Sequence, residues 1–182
     1  MQQKYQLEQG SRLRLVPSTL AHIEAELQGP EYLQPLLRVD IPQSWPPGEY
    51  DRDALLYFRS RMQEGGPSHD GWYGWYVIAS GTDAEGESLV AAAGYFGPPA
   101  DGCVEIGYSV VPEARGLRFA SEIIEALVVH AFKHRDVQVV IAHTSDSNVP
   151  STKALLRSGF VRVGPGTEAG TVQYRRLTRV EA

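Results

Sequence analysis

Apolar positions along the chain follow two periods. In "SRLRLVP" (11–17), Leu13 and Leu15 alternate with Arg12, Arg14 and Val16, which predicts a first strand. Leu20, Ile23 and Leu27 then recur at helical spacing behind Pro17-Ser18-Thr19 and run to Gly29-Pro30. "YLQPLLRV" predicts a second short helical piece, interrupted by Pro35. "IPQSWPPGEYD" (41–51) reads as a loop stiffened by three prolines and carrying one aromatic, Trp45. A helix over "YDRDALLYFRSRMQE" follows and stops at Gly65-Gly66-Pro67.

Beyond this point the period shortens. "WYGWYVIAS" (72–80) and "SLVAAAGYFG" (88–97) predict strands joined by a polar, glycine-bearing hairpin, "GTDAEGE". "CVEIGYSV" (103–110) predicts a third strand, with Val104, Ile106, Tyr108 and Val110 on one face and Glu105, Gly107 and Ser109 on the other. A helix over about 117–134 buries Phe119, Ile123, Leu127, Val128 and Ala131. "VQVVIAHT" (137–144) is almost continuously apolar, as a strand covered on both faces should be. A short helix, "PSTKALLRS", ends on Gly159, and "FVRVG" and "GTVQYRRL" close the chain as strands. Strands in hairpins with helices inserted predict an α/β fold, a mixed sheet covered by helices.

Composition narrows the function classes. A chain of 182 residues, 42% apolar and 21% charged, predicts one soluble globular domain over 1–182, with 1–10 loosely ordered. A net charge of -5 argues against a general nucleic-acid binder, yet leaves room for a local basic pocket. The single cysteine, Cys103, excludes an internal disulfide and a cysteine-rich zinc site, and suits a reducing cytoplasm. His130 and His134 stand four apart without an HExxH pattern, so they read as helix-surface residues and no metal is expected. The stretch "MQQKYQLEQGSR" lacks the apolar core of a signal peptide, and no run is long enough to span a membrane. A homodimer is the default only because symmetric dimers are the commonest oligomers.

The ordered pair "VEIGYSVVPEARGLRFASE" and "SDSNVPSTKALLRSGFVRVG" resembles the GCN5-related N-acetyltransferase (GNAT) superfamily, most of all the branch that includes the ribosomal-protein N-terminal acetyltransferases. "SRLRLVPSTLAHIEAEL" is similar to the start of that branch and "WPPGEYD" to its variable acceptor-side region, so the likeness runs from about 11 to 178. It implies a curved, mainly antiparallel mixed sheet of six or seven strands with helices on both faces. Two central parallel strands, here 103–110 and 137–144, should splay apart. It implies acetyl-CoA as co-substrate, its pantetheine arm on the backbone around Tyr108, Ser109 and Val110 and on Asn148. The pyrophosphate should sit on the loop 113–118, at Arg115, Gly116, Leu117 and Arg118, and on the following helix turn with Ala120 and Ser121. The physics is general: a helix N-terminus has unpaired N–H groups and a dipole favouring anions, and a glycine lets backbone approach a phosphate.

Two residues depart from the family's loop: Glu113 is a tolerable change at its rim, and Arg118 is the serious one. A second small residue is usual where Arg118 stands. If that position needs positive φ, a β-carbon there costs on the order of 1 kcal/mol and weakens cofactor binding. If its φ is ordinary, only bulk matters, and the guanidinium is able to fold over a phosphate. Arg118 therefore motivates a competing reading, a catalytically silent module that binds a ligand or partner.

Acetyl transfer from a thioester to an amine needs a base, donors for the developing oxyanion and an acid for the leaving thiolate. The resemblance makes Glu105 the candidate base, directly or through water, against the alternative of a strand residue paired to a cation. It makes Ser151, three after Asn148, the candidate acid, against a plain capping role for this segment. The acceptor, a small-molecule amine or a protein or peptide N-terminus, is expected near Trp45, Trp72 and Trp75, with Trp45 as an exposed lid. Glu49, Asp51 and Asp53 either attract a cationic acceptor or simply start a helix.

Overall fold

A computed structural model describes residues 12–80 and 86–178, and the backbone of Tyr5 and Gln6. The chain divides into two compact units, Met1–Gly94 with Tyr108–Phe119, and Tyr95–Gly107 with Ala120–Ala182.

In the first unit β1 (Tyr5–Gln6), β2 (Leu13–Pro17), β3 (Gly74–Ser80) and β4 (Glu87–Tyr95, its last residue in the second unit) pair in that order, all antiparallel. Leu15 faces Val77, and Val77 faces Ala91, so the apolar alternation of β2 continues across the sheet. The pair Tyr5–Gln6 is a strand where loose order was expected; the rest of 1–10 lies outside the described residues. Five residues of the predicted hairpin turn, 81–85, also lie outside them, but its flanks are antiparallel, with Ser80 opposite Glu87.

Three helices stand between β2 and β3: α1 (Leu20–Gln28), α2 (Pro30–Leu37) and α3 (Arg52–Gly65). Thr19 caps α1 reciprocally: its side chain accepts from the His22 N–H while its own N–H donates to His22 Nδ1 (3.1 Å). Asp51 caps α3, accepting from the Asp53 and Ala54 N–H groups at 3.0 Å each, the helix-start role foreseen as one alternative for this acidic stretch. Pro35 does not interrupt α2. Its missing N–H costs one bond near the end of a helix whose first proline, Pro30, sits where no bond is due, and buried Leu33 and Leu37 hold the turn down. Ile23, Leu33, Tyr76, Ile78 and Leu89 form this unit's core.

In the second unit β5 (Cys103–Val110, its last three residues in the first unit), β6 (Val139–Ser145), β8 (Thr171–Leu177) and β7 (Val161–Pro165) lie side by side in that order. β5 and β6 are parallel, so a crossover must join them, and α4 (Phe119–Phe132) supplies it. β8 pairs antiparallel with both β6 and β7, and α5 (Val149–Arg157) connects β6 to β7. The parallel ladder runs Cys103–Glu105 against Val139–Ile141, while β5 continues to Val110 and β6 to Ser145. The parallel pairing of these two strands thus ends at Glu105 and Ile141. Val104, Ile106, Val140 and Ala142 point to the buried side with Ile123, Ile124 and Leu127 of α4, whereas Glu105, Ile141 and His143 are half-buried. His130 is not a surface residue: it is 7% exposed and hydrogen-bonds the Tyr95 hydroxyl through Nδ1 (2.9 Å). Burial, with the charges of His134 and Lys133, lowers its pKa from 6.5 to about 4.

Candidate active site

After Val110 the chain makes one short turn at Pro112–Ala114, then the exposed stretch Arg115–Arg118, then α4. Gly116 has φ +82°, and a Cβ there would meet nothing within 4 Å. Glycine is thus demanded by conformation rather than by crowding. Arg118 stands at φ +65°. Of the two alternatives for this residue, the molecule adopts the left-handed one, in which an L side chain is strained by about 1–2 kcal/mol.

Two arginines brace this turn. Arg115 Nε donates to the Val110 carbonyl (3.2 Å), tying the loop to the end of β5. Arg12 Nη2 donates to the Leu117 carbonyl (3.0 Å), and its guanidinium lies 5.0 Å from the Phe119 ring centre. Arg115 and Arg118 on this exposed loop, with Arg12 reaching it from the start of β2, make a favourable field for an anion. The opposing charge, Glu113, is engaged by the Ser44 hydroxyl (2.6 Å), and chiefly that bond holds its carboxyl below the usual value. Ala120 and Ser121, in the first turn of α4, are half-buried, as is Tyr108.

The Pro-rich loop rests on the same part of the first unit. Besides the Ser44–Glu113 bond, a Cβ added at Gly48 (φ +58°) would stand 2.6 Å from Ser109 Oγ. Its other side is anchored by Glu26 of α1. The Glu26 carboxylate accepts from Trp45 Nε1 (2.6 Å), Tyr50 Oη (3.1 Å) and Tyr76 Oη (2.6 Å). Burial raises the Glu26 pKa, against the lowering effect of those three bonds, and raises both tyrosines well above 10. Trp45 is consequently buried, 8% exposed, and not an exposed lid: its indole N–H finds a buried acceptor that the local sequence does not advertise. Trp72 and Trp75 are also core residues, and Trp75 Nε1 donates to the Gly71 carbonyl (2.9 Å).

The second unit carries Glu105, Asn148 and Ser151. Glu105 is the last residue of the parallel ladder, opposite Ile141, so it shares a face with His143 two residues further along β6. His143 Nδ1 stands 2.7 Å from Glu105 Oε1. On its other side, the Gln173 amide faces His143 Nε2 at 3.3 Å, and Gln173 is the cross-strand partner of His143 on β8. Among the described residues Glu105 Oε2 has no hydrogen-bond partner, and the side chain is 31% exposed. Asn148 is the N-cap of α5, accepting from the Ser151 N–H (3.2 Å), with Pro150 in the first turn. The capping alternative for Asn148 is therefore realised, and Ser151 occupies the third helical position, half-buried.

Among the residues that build the site, Arg12, Glu26, Ser44, Gly48, Tyr50, His143 and Gln173 escaped sequence reasoning. Only His143 had a local signal, since it shares the alternate face of its strand with Val139 and Ile141. No group of three or more histidine, cysteine or acidic side chains suited to a metal exists among the described residues, and none of their helices is long and apolar enough to cross a membrane.

Comparison with known proteins agrees with this fold. The sequence profile described as an acetyltransferase (GNAT) domain matches residues 12–161. No curated protein matches the chain in sequence. Among solved structures, RimL, a ribosomal L7/L12 alpha-N-protein acetyltransferase, superimposes with a TM-score of 0.65 at 17% identity, over 97% of this chain and 95% of that one. RimL in complex with coenzyme A gives 0.64 at 15% identity, over 92% and 95%. A spermidine N-acetyltransferase SpeG chimera from Vibrio cholerae and hSSAT gives 0.60 at 12% identity, over 92% and 96%.

Proposed function

The chain belongs to the acetyltransferase (GNAT) family, and from that premise we propose that it moves an acetyl group from acetyl-CoA to a primary amine, on a small molecule or at a protein or peptide N-terminus. The observation that carries this reading is the turn Arg115–Arg118: an exposed glycine in the left-handed region, open space over its α-carbon, and guanidinium groups around it, leading into α4. Backbone N–H groups at such a turn and at a helix start suit a pyrophosphate.

When bound, acetyl-CoA supplies the thioester carbonyl that the amine attacks. In this reading the turn and the first residues of α4, Ala120 and Ser121, hold the pyrophosphate, and backbone at Tyr108, Ser109 and Val110 holds the pantetheine, with the amide of Asn148. Glu105 takes the amine's proton through Oε2, directly or by way of water, while Ser151 gives a proton to the departing thiolate. A C–N bond forms, a C–S bond breaks, and the proton that the amine loses replaces the one the thiol gains. The acceptor class is supported by the neighbours' names, which include a ribosomal-protein N-terminus and a polyamine. Trp45, buried on Glu26, holds the acceptor-side loop in place, and Trp72 and Trp75 belong to the core beneath the surface.

A second reading, a binding module without turnover, is favoured by the strained Arg118. Isothermal titration with acetyl-CoA, followed by thiol release in the presence of peptide N-termini and polyamines, separates the two. Micromolar binding with thiol release supports transfer; binding without release for every amine, or binding by Arg118→Gly but not by the native chain, supports the module; no binding by either chain refutes transfer.

A further inference from the structure

We infer that His143 is the positioning residue for Glu105, and that the row Glu105–His143–Gln173 aims one carboxylate oxygen at the acceptor amine. The inference rests on the acetyl-transfer reading above and deepens it at the base. Three strands contribute one side chain each, and the register dictates the row: Glu105 ends the parallel ladder opposite Ile141, His143 follows on the same face, and Gln173 is its direct antiparallel partner. Nδ1–H donates to Glu105 Oε1 at 2.7 Å, and an amide N–H of Gln173 donates to the Nε2 lone pair at 3.3 Å. Because a carboxylate only accepts and an amide nitrogen only donates, this pair of neighbours selects one neutral ring tautomer. The ring is also confined sterically. A Cβ added at Gly166, in the turn between β7 and β8, would come within 2.8 Å of His143 Cδ2.

The consequence for Glu105 is asymmetry. Oε1 is taken by a nearly buried ring, 12% exposed, whereas Oε2 accepts nothing from the described residues and belongs to a side chain 31% exposed. A carboxylate held at one oxygen loses a rotational freedom it would otherwise spend against catalysis. The proton leaving the amine goes to Oε2, and His143 keeps its own proton on Nδ1 throughout, so no further proton carrier is required. His143 thus acts through Glu105, without touching the reacting atoms.

The test compares His143→Leu, which removes the donor, with His143→Asn, whose amide nitrogen reaches the place of Nδ1. Both are measured in the native and Glu105→Gln backgrounds by steady-state thiol release. We expect His143→Leu to lower kcat 10- to 100-fold with KM for the amine changed less than threefold, and His143→Asn to recover most of the loss. In the Glu105→Gln background His143→Leu should cost little more, since the oxygen it orients is already altered. Nitrogen NMR of the ring should find the Nδ1–H tautomer in the native chain. Native turnover unaffected by His143→Leu, or an equal loss in both backgrounds, overturns the inference and leaves the acetyl-transfer reading intact. Absence of turnover by the native chain overturns that reading instead, and a ring in the other tautomer overturns the pairing whatever the activity.

Discussion

Replacing Arg118 isolates the energetic weight of one backbone angle. At φ +65° an L residue is strained by about 1–2 kcal/mol, while glycine is not. Glycine has a more mobile unfolded chain, which costs roughly 0.5–1 kcal/mol against alanine. Arg118→Gly and Arg118→Ala both delete the guanidinium, so its charge and packing cancel when the two are compared. At the middle of both ranges the difference leaves the glycine variant about 0.8 kcal/mol more stable than the alanine variant. In a chain of this size that separates their melting temperatures by roughly 1–4 °C. Urea unfolding followed by tryptophan fluorescence, with calorimetry as a second probe, resolves such a gap. Titration with acetyl-CoA then shows whether the relieved turn also binds more tightly, and whether losing the guanidinium offsets the gain. Equal stability of the two variants would refute the reasoning: the turn would not be left-handed in solution.

Three further expectations follow from buried contacts. Glu26→Ala should destabilise the chain by about 3–5 kcal/mol, since Trp45, Tyr50 and Tyr76 all lose a buried acceptor, and Glu26→Gln by clearly less; urea midpoints decide this. Gly48→Ala adds a Cβ 2.6 Å from Ser109 Oγ at a positive φ, and should loosen the Pro-rich loop by 1 kcal/mol or more, read as faster proteolytic nicking near residue 48. His130 is held neutral, its pKa depressed from 6.5 to about 4, so its contribution to stability is complete above 6.5 and is lost as pH falls towards 4. Within that window the native chain should lose up to about 1.4 kcal/mol per pH unit on this account, a slope absent from His130→Gln when both are unfolded in urea at several pH values.

Period and punctuation carried most of the fold. β5 was legible to the residue because Val104 and Ile106 alternate with Glu105 and Gly107 behind a glycine turn, and α5 because Asn148, Pro150 and Gly159 mark its ends. Pro35 misled because its cost depends on helix length and on the burial of Leu33 and Leu37, neither of which is local information. Trp45 misled for a related reason: its burial depends on Glu26, nineteen residues earlier, offering an acceptor inside the unit. The left-handed turn at Arg118 has no signature in the residue that occupies it, because arginine does not favour that region. His143 escaped because its partnership with Glu105 is a product of strand register, which the chain acquires only when β5, β6 and β8 have paired.

The place of β8 has a consequence for the order of events during synthesis. Among the described strands β8 is made last, yet it lies between β6 and β7 and pairs with both. Until residues 171–177 have left the ribosome, one edge of β6 has no native partner and β7 has nothing to dock on. β5 and β6 are able to pair before then, but β6, β8 and β7 join only once β8 has emerged. A nascent chain stalled short of β8 would leave that edge of β6 open to non-native pairing.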